Sequence, residues 1–125
     1  MEHNTRQRQA IISCLRESAG PLSPREILEY SRETAGRMGI ATVYRNLRRL
    51  VLKGIVREQH FPGEGTRYEM TSLGHHHHFY CRQCRRVYCI EGCPADFQAK
   101  LPCGFVLEEH EVLLYGTCQD CTQAS

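Results

Sequence analysis

Residues 74–89 read GHHHHFYCRQCRRVYC, four consecutive histidines followed closely by a C-x-x-C pair, Cys81 and Cys84. Imidazole nitrogen and thiolate sulfur are the donors that divalent transition metals take from proteins. The run is a purification scar, a solvated loop or a metal site. A scar is the poorest of the three, since a tag sits at a terminus and usually holds about six histidines. A second C-x-x-C, Cys118 and Cys121, lies near the end of the chain. Each pair offers two thiolates from a tight knuckle, and tetrahedral Zn²⁺ takes four. The 33 residues between Cys84 and Cys118 exceed the roughly 15–20 of a simple zinc ribbon, so several elements must bring the knuckles together. A redox C-x-x-C is the competing reading, but neither pair opens an evident helix after a strand. The spacing therefore predicts a structural zinc site.

Side chains alternate across a strand. As a strand, the histidine run sends His75 and His77 one way and His76 and His78 the other, so one run can supply two separate sites. A zinc hydrolase would need an open metal position and a base. Glu109 and Glu111 flank His110, but no H-E-x-x-H or similar motif exists, and neither an enzyme nor a small-molecule substrate is expected. Cys89, Cys93 and Cys103 are further thiols, which keeps a peroxide or thiol switch as the alternative function.

The elements that must position these groups are bounded by composition. The chain has 125 residues, 41% hydrophobic and 24% charged, enough for one ordinary domain or two small ones. No apolar run approaches the roughly 18 residues that span a bilayer. The amino terminus, MEHNTRQRQA, is polar where a signal peptide carries an apolar segment. A cytoplasmic location without membrane contact is expected, where thiols stay reduced and eight cysteines favour metal over disulfides. Charge divides the chain: residues 1–70 carry 12 Lys/Arg against 8 Asp/Glu, net +4, and residues 71–125 carry 4 against 6, net −2. A basic module, 1–72, and a Cys/His module, 73–125, follow.

TRQRQAIISCLRESAG predicts a first helix with Thr5 as N-cap and Gly20 as stop. LSPREILEYSRETAG predicts a second, with Ser23 as N-cap, Pro24 at the first helical position and Glu26 completing a capping box. In IATVYRNLRRLVLKG, Val43, Leu47, Leu50 and Val51 share one arc while Tyr44, Arg45, Arg48 and Arg49 lie toward the other side. IVREQHF and TRYEM around PGEG predict a hairpin. Three helices and a hairpin make a winged helix-turn-helix. The third helix is then the element that enters double-stranded DNA, Tyr44 meeting a thymine methyl and Arg45, Arg48 and Arg49 meeting phosphate or guanine. Arg67 and the PGEG loop fall where a wing meets the DNA backbone, with Glu64 opposing the electrostatics. The second module predicts a strand, a short helix near ADFQAKL and a long alternating strand from Phe105 to Tyr115. It is α+β and too small to bury much alone, so dimerisation is expected.

GIATVYRNLRRLVLKGIVRE, RYEM, HHHHFYCRQC and GFVLEEHEVLLYGTCQDC, in this order and over nearly the whole chain, resemble the ferric uptake regulator family. The resemblance implies a homodimeric, metal-dependent DNA-binding repressor, an amino-terminal winged helix followed by a dimerisation domain, and a structural zinc on Cys81, Cys84, Cys118 and Cys121. It implies a regulatory site of Glu69, His76, His78 and Cys89, the last standing where the family commonly has a carboxylate. It also implies a further site of His75, His77, Asp96 and His110. The iron members often add a histidine before the second helix, where this chain has AGPLS. A softer donor set suits Zn²⁺ better than octahedral Fe²⁺ or Mn²⁺, so zinc sensing is favoured over iron, with Ni²⁺ a further candidate. An ion held by Glu69 and by donors of the second module would fix the angle between the modules and so set DNA affinity.

Overall fold

The computed structural model describes residues 2–93 and 95–124 and divides into two units, Met1–Gly74 and His75–Ser125. Helix α1 spans Glu2–Glu17 and buries Ile11 and Leu15. Thr5 lies inside it and is not its N-cap, because the helical turns begin three residues earlier. Helix α2, Pro24–Ala35, starts as the sequence dictates: the Ser23 hydroxyl accepts the Glu26 N–H at 3.2 Å, and the Glu26 carboxylate accepts the Ser23 N–H at 3.0 Å. Two of the helix's orphan donors are thereby satisfied. Helix α3, Ile40–Leu52, buries Val43, Leu47 and Leu50 and exposes Tyr44, Arg45, Arg48 and Arg49. It also buries Asn46, whose amide donates to the Thr42 carbonyl at 2.9 Å.

Strands β1, Val56–Phe61, and β2, Gly65–Met70, pair antiparallel with Phe61 opposite Gly65. Gly63 and Gly65 at φ 78° and 83° take the left-handed conformations that close so short a loop at little steric cost. Tyr68 exchanges backbone hydrogen bonds with Leu22, at 2.8 and 3.0 Å, and so ties the hairpin to the segment before α2. The core is one cluster of residues from all three helices and both strands, including Ile11, Ile27, Leu47, Leu50, Val56 and Met70. A 3₁₀ turn, Thr71–Leu73, ends the unit.

The second unit is a three-stranded sheet ordered β4-β3-β5. Strand β3, His76–Cys81, pairs antiparallel with β4, Val87–Glu91, and parallel with β5, Leu113–Gly116. Helix α4, Gln119–Ala124, follows. The expected helix near ADFQAKL is a single 3₁₀ turn, Gln98–Lys100. The long strand expected from Phe105 is reduced to the four residues of β5. Side chains serve much of the backbone before it: Gln98 donates to the Phe105 carbonyl at 2.9 Å and accepts the Leu107 N–H at 2.8 Å, and the Val112 N–H reaches His77 Nδ1 at 3.2 Å. Alternation in the sequence was thus not matched by a strand partner over most of its length. Among the described residues of this unit the buried apolar ones are Tyr80, Cys81, Val87 and Cys121, a core too small to hold a sheet without further support.

Candidate metal centres and DNA-facing helix

The two knuckles meet. Cys81 ends β3, Cys84 lies in the turn to β4, Cys118 follows β5 and Cys121 opens α4, with all four sulfur atoms within 4.8 Å of one another. Cys84 Sγ and Cys118 Sγ are 3.8 Å apart. That is the edge, about 3.8 Å, of a tetrahedron with the roughly 2.3 Å arms of a zinc–thiolate site. All eight cysteines are free of disulfides.

Within each knuckle the two thiols differ. Cys81 Sγ accepts the N–H groups of Cys84, at 3.5 Å, and Cys118, at 3.3 Å. These bonds favour the thiolate and draw its pKa down to about 6. Cys118 is lowered by the Cys121 backbone N–H and then by the Tyr88 hydroxyl. Burial raises Cys84, and pushes Cys121 up to about 12. In each knuckle the N–H of the second cysteine favours the thiolate form of the first. Arg85 sits in the first turn at φ 63°, its N–H donating to the Cys81 carbonyl at 2.8 Å.

The histidine run divides between two faces, as alternation requires. On one face, His76, His78 and Cys89 bring their donor atoms within 4.8 Å of one another. His78 is directly opposite Cys89 in the β3–β4 ladder, and the His76 and His78 rings lie 4.8 Å apart edge to face. His78 is buried, and the other two are half-buried. On the other face, His75, His77 and His110 converge with Cys93, not with Asp96. Asp96 is exposed, and its carboxylate accepts the Ala99 N–H at 3.3 Å. His77 is 1% exposed. Its pKa is lowered by burial and then by the imidazoles of His75, His110, His78 and His76, which keeps the ring neutral, the form that ligates metal. No sequence signal singled out Cys93. It depends on the turn at Gly92, whose φ of 74° redirects the chain after β4.

In the first unit, Glu69 on β2 is 2% exposed, its Oε1 accepting from Arg57 Nε and Gln59 Nε2, each at 3.0 Å. Arg67 departs from expectation. It is 7% exposed, with Nη1 donating to Glu26 Oε1 at 2.7 Å and to the Pro21 carbonyl at 3.4 Å. Its guanidinium is buried against the α2 capping box and is not part of the exposed surface. Tyr44, Arg45, Arg48 and Arg49 form the exposed face of α3, with Arg45 Nη2 resting on the Thr42 hydroxyl at 3.1 Å.

A winged helix with a basic helix face, followed by a module whose thiols and imidazoles gather into metal-capable clusters, defines the class of metal-responsive DNA-binding regulators. The chain belongs to the ferric uptake regulator family, whose model matches residues 2–115. The ferric uptake regulation protein of Campylobacter jejuni is 31% identical over 122 residues, 94% of this chain and 78% of that protein. The Helicobacter pylori ferric uptake regulator, described as having three functional metal-binding sites, superposes with a TM-score of 0.71 at 26% identity, covering 93% of this chain and 79% of that one. FurB of Mycobacterium tuberculosis, described as a zinc uptake regulator, is 31% identical over 94% of both chains, with a TM-score of 0.52. No helix among the described residues is long and apolar enough to cross a membrane.

Proposed function

We propose that this protein is a zinc-sensing transcriptional repressor, a cytoplasmic homodimer that binds operator DNA when its regulatory site is filled. The observation that carries this reading is the donor set on one face of the β3–β4 ladder: two imidazoles and the sulfur of Cys89. Iron and manganese favour harder, six-coordinate surroundings, whereas nitrogen and sulfur donors in low number suit Zn²⁺. In this reading Glu69, from the first unit, is the remaining donor, and Cys81, Cys84, Cys118 and Cys121 hold a separate, structural zinc.

The residues divide the work. Tyr44, Arg45, Arg48 and Arg49 contact DNA, residues 1–72 forming the DNA-binding domain and residues 73–125 the dimerisation and metal-binding domain. Glu69 is separated from His76 by only six residues, so a shared ion would fix the angle between the domains. In a dimer that angle sets the distance between two α3 helices, which must match about one turn of DNA or a multiple. Leu114 and Tyr115 on β5, an edge strand, are 42% and 44% exposed, and a second copy of the chain is the partner that would cover them.

The test is metal analysis of the purified protein, followed by titration of a DNA fragment selected from genomic DNA by the zinc-loaded protein. Full binding is expected with Zn²⁺ at free concentrations where Fe²⁺, Mn²⁺ and Ni²⁺ give none. Full binding with Fe²⁺ in protein whose only zinc is one structural ion per chain would reverse the assignment.

A further inference from the structure

We infer that Cys93 is a metal ligand, completing with His75, His77 and His110 a three-imidazole, one-thiolate site for a tetrahedral, borderline-soft cation of the Zn²⁺ or Co²⁺ class, from which Asp96 is excluded. The inference lies outside the regulatory reading above, because none of these residues belongs to the His76 face.

The geometry carries it. Cys93 Sγ lies 3.2 Å from His75 Nε2, 3.4 Å from His77 Nε2 and 3.3 Å from His110 Nε2, and His110 Nε2 is 3.2 Å from both His75 Nε2 and His77 Nε2. Metal–nitrogen arms of about 2.0–2.1 Å and a metal–sulfur arm of about 2.3 Å make a tetrahedron with edges of roughly 3.3–3.6 Å. Five measured edges thus lie at or just inside the values that one central ion sets. Four polar side chains gain little from such convergence without an ion to share, since donor and acceptor roles cannot all be matched among four groups meeting at one point. The three rings also brace one another, with centroids 4.7–4.9 Å apart, and Phe97 closes one side at 4.9 Å from the His110 ring.

The elements agree with a site of this kind. His75 and His77 flank the start of β3, Cys93 follows the Gly92 turn after β4, and His110 precedes β5. An ion here would join the start of β3, the end of β4 and the approach to β5 in a unit with a small core. His77 brings a specific condition. The Val112 N–H donates to its Nδ1 at 3.2 Å, so before metal arrives the ring carries its proton on Nε2. Binding through Nε2 moves that proton to Nδ1, and the Val112 N–H gives up its bond to the ring.

Cobalt reads the site without reference to DNA binding. The protein retains zinc on its four cysteines, and His76→Ala with Cys89→Ser silences the other cluster. Titration with Co²⁺ is expected to give one tetrahedral ion per chain, with intense visible absorption and one thiolate-to-cobalt band in the near ultraviolet. Adding Cys93→Ser should remove that band and weaken Co²⁺ and Zn²⁺ by more than about tenfold, the lower end of what even outer-shell partners contribute. Asp96→Asn should change neither. In the unaltered chain, Zn²⁺ beyond the four-cysteine equivalent should protect Cys93 from alkylation, mapped by mass spectrometry, which checks the ligand without any substitution. Metal loss on Asp96→Asn, no second ion in the background variant, or an unprotected Cys93 would each overturn the assignment. None of these results depends on whether zinc or iron controls DNA binding.

Discussion

His78 and Cys89 stand directly opposite each other across the β3–β4 ladder, which places an imidazole and a thiol on one face of the sheet. Residues paired in this way bring their Cβ atoms to about 4.5–5.5 Å, close enough for one ion to bind both. The chemistry of that pair is what distinguishes this face from an oxygen-rich iron site. Replacing Cys89 by Asp keeps the register and exchanges a soft donor for a hard one, so metal preference should move from Zn²⁺ toward Fe²⁺ and Mn²⁺. His76→Ala should abolish metal-responsive DNA binding while the four-cysteine zinc and the dimer persist. Competition between metals, followed by DNA binding, checks both. An unchanged metal order in Cys89→Asp would remove Cys89 from the site.

Arg45 and Arg67 are both arginines of the basic half, and their surroundings assign them different roles. Arg45 is exposed on α3, whereas Arg67 is buried against Glu26. Arg45→Ala should leave thermal stability unchanged and weaken operator binding by about 1–3 kcal/mol if a base contact is lost. Arg67→Ala should lower unfolding stability by about 1–3 kcal/mol, because it removes a charge-assisted hydrogen bond and a buried stem from the α2 start. Calorimetry and DNA titration on the same two variants separate the roles; equal DNA losses without a stability change in Arg67→Ala would return Arg67 to the interface.

The winged-helix elements were legible because their signals are local. Ser23, Pro24 and Glu26 define a helix start within four residues, and the apolar arc of α3 repeats within three turns. Each C-x-x-C and the alternation of four histidines are likewise short-range signals, although the meeting of the two knuckles spans the 33 residues between Cys84 and Cys118. What the sequence hid depends on distant partners. Arg67 meets a residue 41 positions earlier, and on β2 the last four residues are all buried, so alternation could not show that its outer face is covered. Cys93, rather than Asp96, lies beside His75, His77 and His110, just after a backbone turn at Gly92. The strand expected before β5 is shortened because Gln98 bonds the Phe105 and Leu107 backbone, a contact that periodicity does not encode.

Arg85 offers a test of the first knuckle's backbone. Its φ of 63° lies in the left-handed region, which costs a residue with a Cβ roughly 1 kcal/mol or more and glycine almost nothing. The side chain is exposed. Arg85→Gly should therefore hold or raise the free energy of unfolding, by up to about 1 kcal/mol, with zinc content unchanged. Glycine's larger unfolded-state entropy opposes the gain and limits its size. A marked fall in stability would show that the Arg85 side chain contributes more than the turn costs.

Cys81 and Cys121 are the buried members of the four-sulfur cluster, one from each knuckle. They join the end of β3 to α4 in a unit whose apolar core is small, so the cluster must supply much of what holds the unit together. Binding of structural zinc contributes about 10–16 kcal/mol in small model domains, and that binding energy is folding energy. Cys81→Ser or Cys121→Ser should accordingly lose the structural zinc and unfold residues 75–125, taking the dimer with it. The winged helix keeps its own core of twelve buried residues and should retain its helical signal. Metal analysis, sedimentation and circular dichroism on each variant report the three consequences separately. A dimeric variant with native β-structure and no zinc would show that packing alone holds the second unit.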